Sequence, residues 1–130
     1  MSETKENPQS INGLVNANTT RDQFVGVLKQ LLKPEEVTKL GGVEVAADKV
    51  TESVAYLGVF APAPATFDKN AFDFTAGADL PEEEGAVVWE TLKRIGVLKD
   101  ESIKTPGRYS ISKQLVDMLV DPNNKFLTED

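Results

Sequence analysis

The chain contains neither histidine nor cysteine, and that closes most routes to catalysis. No Ser-His or Cys-His pair can form, no imidazole can carry protons near neutral pH, and neither imidazole nor thiolate can ligate zinc. Carboxylate, lysine and tyrosine chemistry remains. Asp22, Glu36, Asp73, Tyr56 and Tyr109 are side chains from which a fold could assemble an acid/base set, yet nothing in their spacing groups them. With no catalytic motif, a non-enzymatic protein is expected. Asp79, Glu82, Glu83 and Glu84 form a dense carboxylate run, and clustered carboxylates suit hard cations. Successive helix positions point about 100° apart, however, so three consecutive glutamates diverge. They read better as favourable charges at a helix start, and neither metal nor cofactor is expected. Gly41-Gly42 and Pro106-Gly107 serve as backbone punctuation and belong to no Walker or dinucleotide-binding fingerprint.

The other candidate residues are aromatic and basic. Phe67, Phe72 and Phe74 recur among Asp68, Asn70 and Asp73, and their spacing does not place all three on one helix face. On an extended backbone Phe72 and Phe74 would share one side and Asp73 the other. That side either covers a core or offers rings to a partner, and core burial of at least two of the three is the leading expectation. Trp89 borders both faces of its helix, so it suits either an interface hot spot or packing on the segment 59–80. Residues 85–116 hold six bases (Lys93, Arg94, Lys99, Lys104, Arg108, Lys113) against three acids, a local +3 in a chain of net charge −7. Solvated ion pairing with nearby acids is the leading reading of these bases.

Whole-chain properties narrow the setting. A length of 130 residues suits one domain with a self-sufficient core. An excess of 21 acidic over 14 basic residues favours solubility and opposes nucleic acid and anionic membranes. No apolar run reaches the roughly 20 residues of a membrane span. Met1–Asn18 is polar and lacks the apolar stretch of a signal peptide. A cytoplasmic setting is expected, consistent with the lack of disulfides.

The elements that would position these residues follow from periodicity. Residues 1–18 read as a mobile arm, with Ile11, Leu14 and Val15 able to dock as one short turn, and residues 19–130 as a single domain. Thr20 and Gln23 have capping-box spacing, and Phe24, Val27, Leu28, Leu31 and Leu32 follow at helical steps. Pro34-Glu35-Glu36 opens a short helix that Gly41-Gly42 ends. A third helix fits residues 44–57, with Val43, Ala46, Ala47, Val50, Val54 and Leu57 as its stripe and Gly58 as its stop. Residues 59–80 read as a Pro-containing aromatic loop, with a short strand possible at 72–75. Pro81 and three glutamates start a helix near 81–95 that carries Val87, Val88, Leu92 and Ile95 inward. Strands near 97–99 and 108–111 form a hairpin, and a last helix near 112–119 buries Leu115, Val116, Met118 and Leu119. The expected class is α+β, mostly helical.

Residues 88–99 (Val-Trp-Glu-Thr-Leu-Lys-Arg-Ile-Gly-Val-Leu-Lys) and 107–112 (Gly-Arg-Tyr-Ser-Ile-Ser) resemble the recognition helix, wing and following helix of winged-helix domains. The resemblance covers residues 81–119, implying a winged-helix-like half over 79–121 with one short hairpin. It implies that Trp89, Glu90, Lys93 and Arg94 face a DNA groove and that Lys104 and Arg108 sit on the wing. Three features depart from the pattern. Glu82-Glu83-Glu84 occupies the helix end that normally reads bases, Lys93 and Arg94 lie at the opposite end, and an aromatic loop stands where a short helix and turn usually precede the recognition helix. The fold alone does not select among its uses. The leading expectation is therefore an acidic regulatory or binding module acting on a protein partner or a second copy of itself. A winged-helix DNA-binding protein comes next, and an enzyme or small-ligand binder last.

Overall fold

A computed structural model describes residues 11–60, 66–75, 78, 80–101 and 106–120. The described order is a 3-10 turn (Ile11–Gly13), α1 (Arg21–Leu31), α2 (Pro34–Leu40), α3 (Val43–Phe60), α4 (Lys69–Phe74), α5 (Glu82–Arg94), β1 (Leu98–Asp100), β2 (Tyr109–Ile111) and α6 (Lys113–Val120). The protein is thus α+β and mostly helical, with one two-stranded antiparallel sheet among the described residues. None of its described helices is long and apolar enough to cross a membrane.

Local chemistry accounts for the helix ends. The Thr20 hydroxyl accepts from the Gln23 amide at 3.2 Å, and the Gln23 side chain accepts from the Thr20 amide at 3.0 Å. This reciprocal box satisfies two donors that an uncapped helix start leaves open. Gly41 closes α2 at φ 103°, a left-handed geometry that costs a glycine little. Gly96 follows α5 at φ 91° and turns the chain into β1.

The hairpin pairs Leu98 with Ile111, Lys99 with Ser110 and Asp100 with Tyr109. On the free side of β2, Phe67 and Tyr109 exchange both amide-to-carbonyl bonds, at 2.9 and 2.8 Å. Phe67 therefore extends the sheet by one residue from the segment before α4.

Apolar burial joins these pieces into one core. Phe24 and Leu28 from α1, Val50, Val54 and Leu57 from α3, Val88 and Leu92 from α5, and Leu115 and Met118 from α6 are all fully buried. Each such side chain removed from water contributes about 1.5–3 kcal/mol.

The sequence expectations change in several places. Residues 69–74, expected as loop or strand, form a helix because the Asp68 carboxylate accepts from the Ala71 amide at 3.0 Å and caps it. Gly58 lies inside α3 rather than beyond its end, and a Cβ there would overlap the Leu119 side chain of α6. Val43, placed on the inner stripe, is 40% exposed. Val87 and Val116, also placed inward, are only half-buried at the edge of the core. Ile11 and Val15 dock as the short turn expected of them, with the Ile11 amide donating to the Ile95 carbonyl at 2.6 Å, but Leu14, expected to dock with them, is exposed. Residues 1–10 of the expected arm lie outside the described residues.

Candidate functional site

Helix α5 carries the candidates Trp89, Lys93 and Arg94, and its three sides do different work. The inner side, Val88 and Leu92 with Trp89 beside them, faces the core. Trp89 is 5% exposed. Its ring stands 5.2 Å from Tyr109 in a T-shaped arrangement, 5.1 Å from Phe72 and 6.4 Å from Phe67. Such edge and tilted contacts set the positive rim of one ring against the negative face of another. The cluster pins α4, the Phe67 bridge and β2 onto α5. Trp89, Phe67 and Phe72 are thereby removed from the set of side chains a partner could touch. Phe74, with 84% exposure, is the member of the phenylalanine trio left outside. Positions two apart on a helix point about 200° away from each other, so burying Phe72 turns Phe74 to water.

The second side of α5 is a clamp at its C-terminal end. Arg94 donates from Nε to Glu36 Oε2 at 2.9 Å and from Nη2 to Glu36 Oε1 at 2.6 Å. This is the two-pronged guanidinium–carboxylate match. The same Nη2 also donates to the Leu31 carbonyl at 2.8 Å, which lies at the end of α1. Burial pushes the Glu36 carboxyl pKa up. The Arg94 hydrogen bonds, the Lys33 amide and the Arg94 charge outweigh it, and the group titrates below its ordinary value. Arg94 thus joins α1, α2 and α5 and is not available as a groove-reading side chain.

The remaining bases are mostly engaged as well. Lys93 pairs with Glu90 at 3.1 Å and lies 5.8 Å above the Tyr109 ring centroid. Arg108 donates to the Thr66 carbonyl at 2.7 Å and stands 3.9 Å from Asp68. Lys113 pairs with Asp117 at 3.3 Å. Lys104 lies outside the described residues. Of the described bases of this region, Lys93, Arg94, Arg108 and Lys113 are held in separate local pairs, while Lys99 is exposed on β1 and makes no ion pair among the described residues.

The third side of α5 faces α2 across a groove that sequence reasoning missed. One cleft of about 580 Å³ is lined by Lys39, Pro81, Glu83, Glu84, Ala86 and Val87. An adjoining one of about 290 Å³ is lined by Glu35, Glu36, Lys39, Ala86, Val87 and Glu90. Lys39, Ala86 and Val87 are common to both, so the two form one trough with an apolar floor and acidic banks. Glu36 is committed to Arg94, and Glu84 is bound to Lys49. Glu35 and Glu83 make no ion pair among the described residues, and Glu90 keeps 67% of its side chain exposed despite Lys93. The available signal was Ala86-Val87, an apolar pair just off the Val88–Leu92–Ile95 stripe. That pair alone could not reveal which helix lay opposite.

Glu82 and Glu83 are exposed while Glu84 turns to Lys49, and Asp79 lies outside the described residues. No group of three or more His, Cys, Asp or Glu side chains is placed to hold a metal ion among the described residues. Comparison with family models, with curated proteins and with solved structures returned no match to this chain.

Proposed function

We propose that this domain is a protein-interaction module of winged-helix-like architecture that presents the α2–α5 groove to a partner. The observation that carries the reading is the outward surface of α5. It consists of Glu83, Ala86, Val87 and Glu90, while Arg94 is held by Glu36 and Lys93 leans on Glu90 and Tyr109. An apolar floor with an acidic rim suits a protein surface and repels phosphate.

The winged-helix-like architecture is supported by the order of elements. A short helix, α4, and a turn precede α5, and α5 is followed by a hairpin and a further helix. The helix before α5 supplies the part that the sequence pattern lacked. Against a role on DNA stands the first turn of α5, where Glu82, Glu83 and Glu84 would meet the phosphates. The function is therefore binding rather than catalysis, and the partner is a protein.

The test is a photo-cross-linking amino acid placed at Ala86, with Gln114 and Asp22 as exposed controls. Protein adducts are expected from position 86 alone. Equal adducts from all three positions would refute the groove as the binding face. In parallel, duplex DNA titrated at about 150 mM salt is expected to show no binding tighter than non-specific values of about 10⁻⁴–10⁻⁶ M. Nanomolar affinity lost on changing Lys93 and Arg108 would establish the DNA-binding alternative in its place.

A further inference from the structure

We infer that the segment received by the α2–α5 groove is a basic amphipathic helix, an identification that rests on reading the groove as an interaction face. Both walls of the trough are helices, whose main-chain groups are already bonded within themselves. An extended peptide laid there would find no ladder of backbone donors and acceptors to complete its own. A helix brings its backbone bonds with it and needs only side-chain complementarity.

The dimensions and chemistry agree. From Pro81 to Glu90 the α5 wall runs about 14 Å, enough for two to three turns of a ligand helix. Glu83 and Glu90 are seven residues apart, so they project from one side of α5 at an interval of about 10 Å. Ala86 and Val87 lie between them on the floor. A ligand helix carrying Lys or Arg at positions i and i+7, with apolar residues at i+3 and i+4, meets both features in register. Glu35 supplies the opposite bank from α2, and Lys39 marks the one point of that bank where the ligand should carry an acidic or neutral residue.

Charge complementarity selects this occupant over a neutral or acidic helix. Glu35 and Glu83 have no internal cation among the described residues, and Glu90 is shared with one lysine at 3.1 Å. A cationic ligand gains from all three carboxylates, whereas an acidic one is repelled by them. The small Ala86 lets the ligand backbone approach α5 closely.

The experiment uses the full chain and a labelled, hydrocarbon-stapled helix of leucine and lysine built on the i, i+3, i+4, i+7 pattern. Its companions are a version with glutamate for lysine and a version of scrambled order. Fluorescence anisotropy at about 50 and 150 mM salt is expected to show binding of the lysine helix alone. The double variant Glu83→Lys/Glu90→Lys is expected to weaken it about tenfold or more, and Ala86→Lys, which adds both bulk and a like charge to the floor, is expected to weaken it too. The same charge change at Asp48, exposed on α3, should leave affinity unchanged. All these positions are exposed, and a denaturant melt verifies that each variant folds. Equal binding of the scrambled or glutamate helices, or affinity unmoved by reversing Glu83 and Glu90, would overturn the inference. Sequencing the adduct formed from Ala86 separates the two levels: an adduct on a segment that is not a basic helix sinks the ligand assignment and spares the groove.

Discussion

Replacing Phe72 and Phe74 one at a time by alanine tests the local geometry of residues 69–74 directly. Phe72 is 0% exposed and packs 5.1 Å from Trp89, whereas Phe74 is 84% exposed. Removing a buried phenylalanine costs about 3–5 kcal/mol through lost transfer energy and the cavity left behind. The Trp89 contact contributes about 0.5–1.5 kcal/mol within that total. Removing an exposed ring changes stability by about 0.5 kcal/mol or less. For a urea dependence of about 1.5 kcal/mol per molar, the Phe72→Ala midpoint should fall by about 2–3 M. The Phe74→Ala midpoint should hardly move. Tryptophan fluorescence is the natural signal, because Trp89 sits beside the altered site and reports the loss of its neighbour. An extended backbone would put both rings on one side and make the two losses similar. Comparable destabilisation by Phe72→Ala and Phe74→Ala, or a loss below about 1 kcal/mol at Phe72, would refute the helical assignment of α4 and the aromatic cluster built on it.

Two further outcomes follow from packing and charge. Gly58→Ala should destabilise by about 1–3 kcal/mol, since the new methyl meets Leu119 at the α3–α6 crossing and overrides the better helix propensity of alanine. Pairing it with Leu119→Ala should cost less than the two single changes together, and a strictly additive pair in urea melts would count against the contact. Glu36 titrates below its ordinary value of 4.5. A carboxyl that is more acidic in the folded than in the unfolded state stabilises the fold above the unfolded pKa. That contribution is lost as pH falls from about 4.5 through the lower folded value, so Glu36→Gln should lower stability at pH 7 and flatten this part of the acid profile. Parallel acid-denaturation curves for the wild type and the variant would contradict the clamp.

Features decided by a few neighbouring residues were legible in the chain itself. Thr20 and Gln23 announce the start of α1, Pro81 with three glutamates announces α5, and the alternation around Pro106-Gly107 announces the hairpin. The missing histidine and cysteine exclude imidazole and thiolate chemistry. Helix α4 left a fainter mark: Asp68 is a good cap, but six residues are too few for a periodic stripe, and the phenylalanines outweighed the cap. Other features depended on partners far away in sequence. Arg94 finds Glu36 across 58 positions, so nothing local distinguishes a clamped arginine from a free one. Gly58 resembles a helix stop until Leu119 is seen against it. The groove arises only where α2 comes to lie beside α5, because sequence periodicity shows that a helix has a second apolar edge but not which surface stands opposite. Local hydrogen bonding and dihedral preference act over a few residues and are written there; burial, charge pairing and concavity belong to pairs of elements, and only the folded chain brings those pairs together.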